Sequence, residues 1–207
     1  MIKLYTAGTP NGRKVSIALE ELALPYEVIH IDISKGDQFE PSFLEISPSN
    51  KIPAIVDGDR SMMQSGAILL YLAEKSGRLM PAYGTPAYWE MMEWLMWQMS
   101  ELGPMLGQAH HFLKFNRGIS EYAEERYGKE ARRLYKVLNT RLEGREFVVD
   151  GLSMADIAIW PWASRFEFQS IDLDDYPNVK DWYLRLASRP AFQRGYAQPV
   201  EESIPTP

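Results

Sequence analysis

The sequence predicts an α/β half of about 75 residues followed by an all-helical half. Three observations carry that prediction. Hydrophobic periodicity in the first half runs strand, helix, strand, then strand, strand, helix, a βαβ-ββα order. An Ile52-Pro53 step opens the second of those groups. After a turn-rich stretch the spacing of apolar residues changes to three and four, with a capping residue at the start of three of the runs.

Taken in order, Ile2 to Tyr5 is a short apolar strand and Thr9-Pro10-Asn11-Gly12 is a turn. Val15, Ala18, Leu19 and Leu22 mark one face of a helix that Pro25 stops. Tyr26 to Ile33 alternates, with Ile29, Ile31 and Ile33 on one face and Val28, His30 and Asp32 on the other. Ala54 to Val56 is a strand, Asp57-Gly58 supplies residues tolerant of positive φ for a tight turn, and Ser61 to Met63 returns as its partner. Ser65 is read as an N-cap, and the helix through Ala67, Leu70, Tyr71 and Glu74 ends at Gly77.

Pro53 has no N–H to give, so its strand is expected either at a sheet edge or with its neighbouring backbone offered to an extended, peptide-like ligand. An X-Pro bond is also the common site of a cis peptide, which would turn the Ile52 backbone outward. An edge strand that merely begins at proline is the plainer reading of the same residues.

In the second half, Thr85-Pro86 is an N-cap with proline at the first helical position. Trp89, Met92, Met96 and Met99 continue that helix until Gly103-Pro104, where it is expected to break. Ser120 caps a long helix whose buried stripe is Tyr127, Ala131, Leu134 and Leu138, closed by Gly144. Ser153-Met154-Ala155-Asp156 has capping-box spacing with Asp in the place of Glu, and Pro177 and Pro190 open two further helices.

Composition excludes several classes of function. The 207 residues are 45% hydrophobic without an apolar run long enough for a bilayer span, so no membrane partner is expected. MIKLY leads directly into a strand without a signal-peptide pattern, giving an expectation of a cytoplasmic protein. A net charge of −6 with no basic block argues against nucleic acid. There is no cysteine, hence no disulfide, no thiolate metal site and no protein thiol to act as nucleophile. His110-His111 is the one pair that suggests a metal, but adjacent histidines on a helix point to different sides and no ligand set with a recognised spacing surrounds them. The Met and Trp residues between Trp89 and Met105 are core and interface filler, some of which would line an apolar pocket.

With these elements in place, the chain resembles the glutathione transferases. Lys51-Ile52-Pro53-Ala54 is similar to the family's cis-proline segment, and Gln64-Ser65-Gly66-Ala67-Ile68 to its acidic-or-amide plus serine motif. More narrowly, Thr9-Pro10-Asn11-Gly12, Lys35-Gly36-Asp37-Gln38-Phe39 and the segment Leu102 to Phe112 resemble the bacterial Nu-class, the disulfide-bond oxidoreductase type. The resemblance implies a thioredoxin-like N-terminal domain at 1–76, a linker at 77–86 and an all-helical domain at 87–207. It also implies a symmetric homodimer and glutathione as bound co-substrate, with a small-molecule thiol or disulfide as reaction partner and no metal.

The same resemblance assigns roles residue by residue. Thr9 and Asn11, where a helix N-terminus points its N–H groups, would hold a glutathione thiolate without a general base. The Ile52 backbone beside Pro53 would pair with the cysteinyl amide, Ser65 would bind the γ-glutamyl carboxylate, and Gln64 would accept from the ammonium. Gln38 and Lys51 would hold the glycyl end, and Arg126 would project toward the sulfur side of the cleft to meet a second glutathione. Glu93 stands where relatives usually show Gln, and Gln64 where Glu is common, as if a carboxylate had moved. Tyr5 is a weaker candidate because its side chain is expected to face the core. Two function classes follow: an enzyme that reduces disulfides or conjugates electrophiles through bound glutathione, or a non-catalytic interaction module on the same scaffold in a transcription or translation assembly. The intact set of thiol-directed and peptide-directed donors favours the enzyme.

Overall fold

The computed structural model describes residues 1–207 and forms two compact units. The first comprises Met1–Met80 together with Ala187–Ile204, and the second Pro81–Leu186 together with Pro205–Pro207.

The first unit is built on a four-stranded sheet in the order β2-β1-β3-β4, from β1 (Ile2–Thr6), β2 (Tyr26–His30), β3 (Ala54–Asp57) and β4 (Arg60–Met63). β1 pairs in parallel with β2 and antiparallel with β3, and β3 with β4 makes the hairpin around Gly58, whose φ is +61°. Ile2, Leu4 and Thr6 are buried on one face of β1. Tyr5 faces the other way and packs on a small core of Ile31, Phe43 and Ala54, its ring centroid 6.2 Å from that of Phe43.

Two details differ from the sequence reading, while the proline bond is cis as the resemblance implied. β3 is an interior strand, not an edge; its ladder begins at Ala54, so Pro53 sits just outside the pairing and removes no ladder bond. The Ile52-Pro53 bond is cis. β2 ends at His30, although the Ile31 amide still donates to the Thr6 carbonyl at 2.8 Å; beyond it the chain turns away and Ile33 is exposed.

Helices α1 (Pro10–Leu22) and α3 (Ser65–Ser76) complete the predicted order, and the single turn α2 (Pro41–Leu44), absent from the sequence reading, lies between β2 and β3. α1 is far more buried than its apolar stripe implies. Arg13, Lys14 and Ser16 are all buried with Val15, Ile17, Ala18 and Leu19. The cause is the distant helix Pro190–Tyr196, which the sequence reading grouped with the helical half. It lies on α1 so closely that a Cβ on Gly195 would stand 2.6 Å from the Ile17 backbone. The Ser16 hydroxyl donates to the Gly195 carbonyl at 2.6 Å, and the Arg13 guanidinium lies 3.6 Å from the Tyr196 ring centroid while pairing with Glu202.

In the second unit α4 (Pro86–Trp97) is capped by Thr85 as its sequence indicates. Gly103-Pro104 does not end the helical run. A π-type turn over Gln98–Leu102 leads into α5 (Gly103–Ala109) and a second π-type turn over His110–Phe115. The wider turn absorbs the missing N–H and the bulk of the proline ring, which a regular α-turn would not. α6 (Glu121–Arg141), capped by Ser120, and α7 (Met154–Ala163) supply most of the core, with Leu134, Leu138, Ile157 and Trp160 fully buried. α8 (Pro177–Ala187) adds Trp182 and Tyr183, and the short helix on α1 is α9.

The capping box at Ser153 is complete, and its Asp156 does more than cap. Fully buried, it accepts from the Ser153 amide and hydroxyl at 3.0 Å, the Val148 amide at 2.8 Å and the Trp182 indole at 3.0 Å. Burial raises its pKa against the pull of those four donors. His110 is buried between Trp162 and Phe168, 2.9 Å from the Gln169 amide, and its burial, aided by the Arg165 charge, lowers its pKa to about 4. His111 is exposed, so the pair diverges.

Candidate functional site

Strand register gathers the candidate residues of the first unit at one end of its sheet. Tyr5 pairs with Ala54, and Ala54 with Met63, so three chain segments emerge side by side: Ala7–Thr9 after β1, Ile52-Pro53 before β3, and Gln64-Ser65 after β4. β2 runs parallel to β1 and delivers the segment leading to Gln38 at the same end. The helices α1 and α3 both start there, so two sets of first-turn amides face one region.

Thr9 is the N-cap of α1, its hydroxyl oxygen accepting from the Gly12 amide at 3.3 Å, and Pro10 occupies the first helical position. Asn11 follows, half-buried in the first turn. Gly12 is required by close approach, since a Cβ there would collide with the Ala7 carbonyl and the Thr6 hydroxyl. The Thr9 oxygen accepts but its own proton is not used in that bond, so it can donate to a ligand.

Ile52 is half-buried, its side chain against the Ile31–Phe43–Ala54 core and its backbone outside the strand pairing; the Lys51 carbonyl is fixed by the Ser47 hydroxyl at 2.8 Å while the Lys51 side chain is exposed. Gln38 donates from its amide nitrogen to the Ile33 carbonyl at 3.3 Å, and its amide oxygen is buried without a hydrogen-bond partner. An orphaned acceptor of this kind calls for a donor such as the N–H of an extended peptide.

The α3 start differs from expectation. Gln64, not Ser65, is the N-cap, and it makes no side-chain cap bond; its φ of 71° and ψ of 111° lie where a side chain is strained. Ser65 is instead the first helical residue, buried, with its hydroxyl 3.3 Å from the Lys14 ammonium. Neither the strain at Gln64 nor the partnership of Lys14 has a signal in hydrophobic periodicity. Lys14 sits on α1 at 1% exposure, and burial lowers its pKa to about 7.

Arg126 and Glu93 belong to the second unit. Arg126 is exposed on α6 at the wall of a cavity of about 530 Å³. Its neighbours Lys129 and Arg133 are held in ion pairs with Glu125, Glu130 and Glu101, whereas Arg126 makes no ion pair. Glu93 is exposed on α4. No helix of the protein is long and apolar enough to cross a membrane.

The chain matches the family models for the glutathione S-transferase N-terminal domain over residues 4–79 and the C-terminal domain over residues 102–190. It is 51% identical over 199 residues to the Escherichia coli disulfide-bond oxidoreductase YfcG, covering 92% of each chain. A Pseudomonas putida glutathione transferase, solved with one glutathione disulfide bound per subunit, superposes with a TM-score of 0.90 at 37% identity over 96% of this chain and 91% of its own. A Burkholderia graminis glutathione transferase with two glutathione molecules bound per subunit gives 0.89 at 40% identity over 96% and 88%. This chain therefore belongs to the glutathione transferase family.

Proposed function

We infer that this protein is a glutathione-dependent enzyme and propose that it reduces disulfides through a bound glutathione thiolate. One observation carries the reading. A chain without cysteine that is 51% identical to a disulfide-bond oxidoreductase has a capped helix N-terminus bearing Thr9 and Asn11 at the same end of the sheet as an Ile52 backbone outside the strand pairing. The attacking sulfur must then come from the ligand.

In this proposal the first glutathione lies extended across the end of the sheet. The Ile52 backbone next to Pro53 pairs with its cysteinyl amide in the manner of strand addition. Gln38 and Lys51 hold the glycyl end, Ser65 takes the γ-glutamyl carboxylate at the start of α3, and Gln64 accepts from the ammonium. Thr9 donates its hydroxyl proton to sulfur, and Asn11 with the α1 dipole lowers the thiol pKa from its ordinary value near 8.5–9. The thiolate attacks one sulfur of the disulfide substrate, forming a mixed disulfide and expelling the other half as thiolate. A second glutathione thiolate then attacks the glutathione sulfur of the mixed disulfide, releasing the remaining substrate thiol and glutathione disulfide. Arg126 is assigned to a carboxylate of that second glutathione. Glu93 is assigned no step.

The test is reduction of hydroxyethyl disulfide by glutathione, with and without prior treatment of the protein with iodoacetamide. Glutathione-dependent turnover that survives alkylation is the expected result. Glutathione binding without turnover above the solution rate from pH 6 to 8 would shift the assignment to conjugation of an electrophile. Calorimetry with reduced and oxidised glutathione separates the same two outcomes.

We also propose a two-fold homodimer. α4 buries only Met91 and Leu95, leaving Trp89 and Met96 about half exposed, more apolar surface than one packed face requires. A monomer by sedimentation at micromolar concentration would rule this out. The cytoplasm is the proposed location, consistent with a thiol-based reaction in a reducing compartment.

A further inference from the structure

We propose that α9 is a positioning element for the thiol site, setting where α1 presents Thr9 and Asn11, with Arg189 as its anchoring residue; this rests on the glutathione reading above. The seam between the two helices is polar where an apolar one would serve. Arg189 reaches the Glu21 carboxylate with both arms of its guanidinium, at 2.6 and 3.0 Å, and Arg194 meets Glu20 at 2.7 Å. Midway, Ser16 donates to the Gly195 carbonyl at 2.6 Å, and a Cβ on Gly195 would stand 2.6 Å from the Ile17 backbone. Nearer the start of α1, the Arg13 guanidinium pairs with Glu202 and stacks on Tyr196. The same guanidinium would stand 3.7 Å from a Cβ on Gly8, the residue before Thr9, so this end of the seam lies against the turn that carries the thiol donors.

Attachments at residues 13, 16 and 21 span about 12 Å of helix, enough to fix both the rotation of α1 about its axis and its position along it. Apolar faces tolerate repacking, whereas directional bonds and a backbone-to-backbone contact each have one setting. The thiol donors depend on that setting, because a hydrogen bond weakens steeply as its angle departs from linear. Charge does not explain the arrangement. Glu21 stands about 18 Å along the helix from Thr9, beyond the Debye length of about 8 Å at physiological salt. Stability alone does not explain it either. Glu21 is 7% exposed, so its pairing carries a desolvation cost that a well-packed apolar pair avoids, and exchanging such an ion pair for apolar residues is often neutral or stabilising.

The experiment titrates the thiolate of bound glutathione by its ultraviolet absorbance on the full chain, beside thermal melts. Native protein is expected to ionise the thiol at neutral pH. Glu21→Leu combined with Arg189→Leu, which exchanges the ion pair for an apolar one, should melt near the native temperature yet hold about threefold less thiolate at pH 7, a shift of about half a pH unit. Glutathione-dependent turnover should fall by the same factor at pH 6.5 and return to the native value near pH 9, where the thiol ionises without help. Gly195→Ala, which forces the two backbones apart, should move the titration in the same direction. If the double variant does not fold, Arg189→Lys, which keeps the charge and loses the fork, takes its place and should give a smaller shift of the same sign. A folded variant with the native titration would overturn the proposal, as would turnover reduced equally at every pH, which marks lost active protein rather than a displaced α1. A native chain that binds no glutathione, or binds it with the thiol protonated at neutral pH, would overturn the glutathione reading itself.

Discussion

The Thr9 hydroxyl accepts the Gly12 amide at 3.3 Å, so the residue assigned to the ligand's sulfur is also the cap of the helix whose dipole favours the thiolate. Stability and chemistry are therefore linked at Thr9. Thr9→Ala should cost about 1 kcal/mol through the lost cap and reduce glutathione-dependent turnover about 10² to 10³-fold through the lost donor. Thr9→Ser keeps both functions and should remain near native in each. Thermal melts run beside hydroxyethyl disulfide assays check the pair.

Gln64 offers effects of opposite sign. Its φ of 71° is one a glycine adopts without strain. Gln64→Gly should raise stability by about 0.5–1 kcal/mol while weakening glutathione about tenfold, since an acceptor for the ligand ammonium is lost. Urea midpoints and calorimetry read the two effects separately; unchanged affinity would place the ammonium elsewhere.

Arg126→Ala should weaken oxidised glutathione more than reduced, because only the former brings the second set of carboxylates to a guanidinium that makes no ion pair of its own. The ratio of the two dissociation constants is the measurement. A ratio equal to that of the native chain would remove Arg126 from the second site.

Asp156→Ala should destabilise the protein by about 3 kcal/mol or more, as it strands the buried Val148 amide and Trp182 indole together with the Ser153 cap. Equilibrium urea unfolding checks this. The magnitude separates a buried hub from an ordinary surface cap, whose loss costs about 1 kcal/mol.

His110 sets an acid limit. Its pKa falls from 6.5 to about 4 on folding, so between those values the unfolded chain binds a proton that the native chain does not, and stability declines as pH falls through that window. The loss reaches about 3 kcal/mol near pH 4. His110→Gln should flatten this part of the stability profile, measured by urea midpoints at pH 7, 5.5 and 4.5.

The relation between these residues and the sequence is uneven for physical reasons. Strand and helix order, the Thr85, Ser120 and Ser153 caps and the Gly58 turn are local matters, written in residue types within a few positions of one another. The convergence of Thr9, Ile52 and Ser65 followed from recognising the motifs, and strand register then gave it a geometric basis. What periodicity missed depends on distant neighbours. α1 looks one-sided in sequence because the helix covering its other face lies about 170 residues away. Gly103-Pro104 looks like a stop because proline disrupts α-turns, and only the wider turn before it permits continuation. The shift of the α3 cap from Ser65 to Gln64 is a matter of backbone angles that no side-chain preference announces.

The seating of α9 on α1 also bears on how the chain is made. On the ribosome the first 80 residues emerge early, yet the surface of α1 that receives Gly195, Tyr196 and Glu202 stays uncovered until residues more than 170 positions later have been made. The helical unit, whose residues 81–186 are contiguous, has nearly all its core available first. The first unit is thus discontinuous in sequence, whereas domains made of one continuous stretch have all their residues as soon as that stretch is made. The first unit is therefore sealed by a segment drawn from beyond residue 186, and a chain cut short before Ala187 would leave the α9-facing surface of α1 bare.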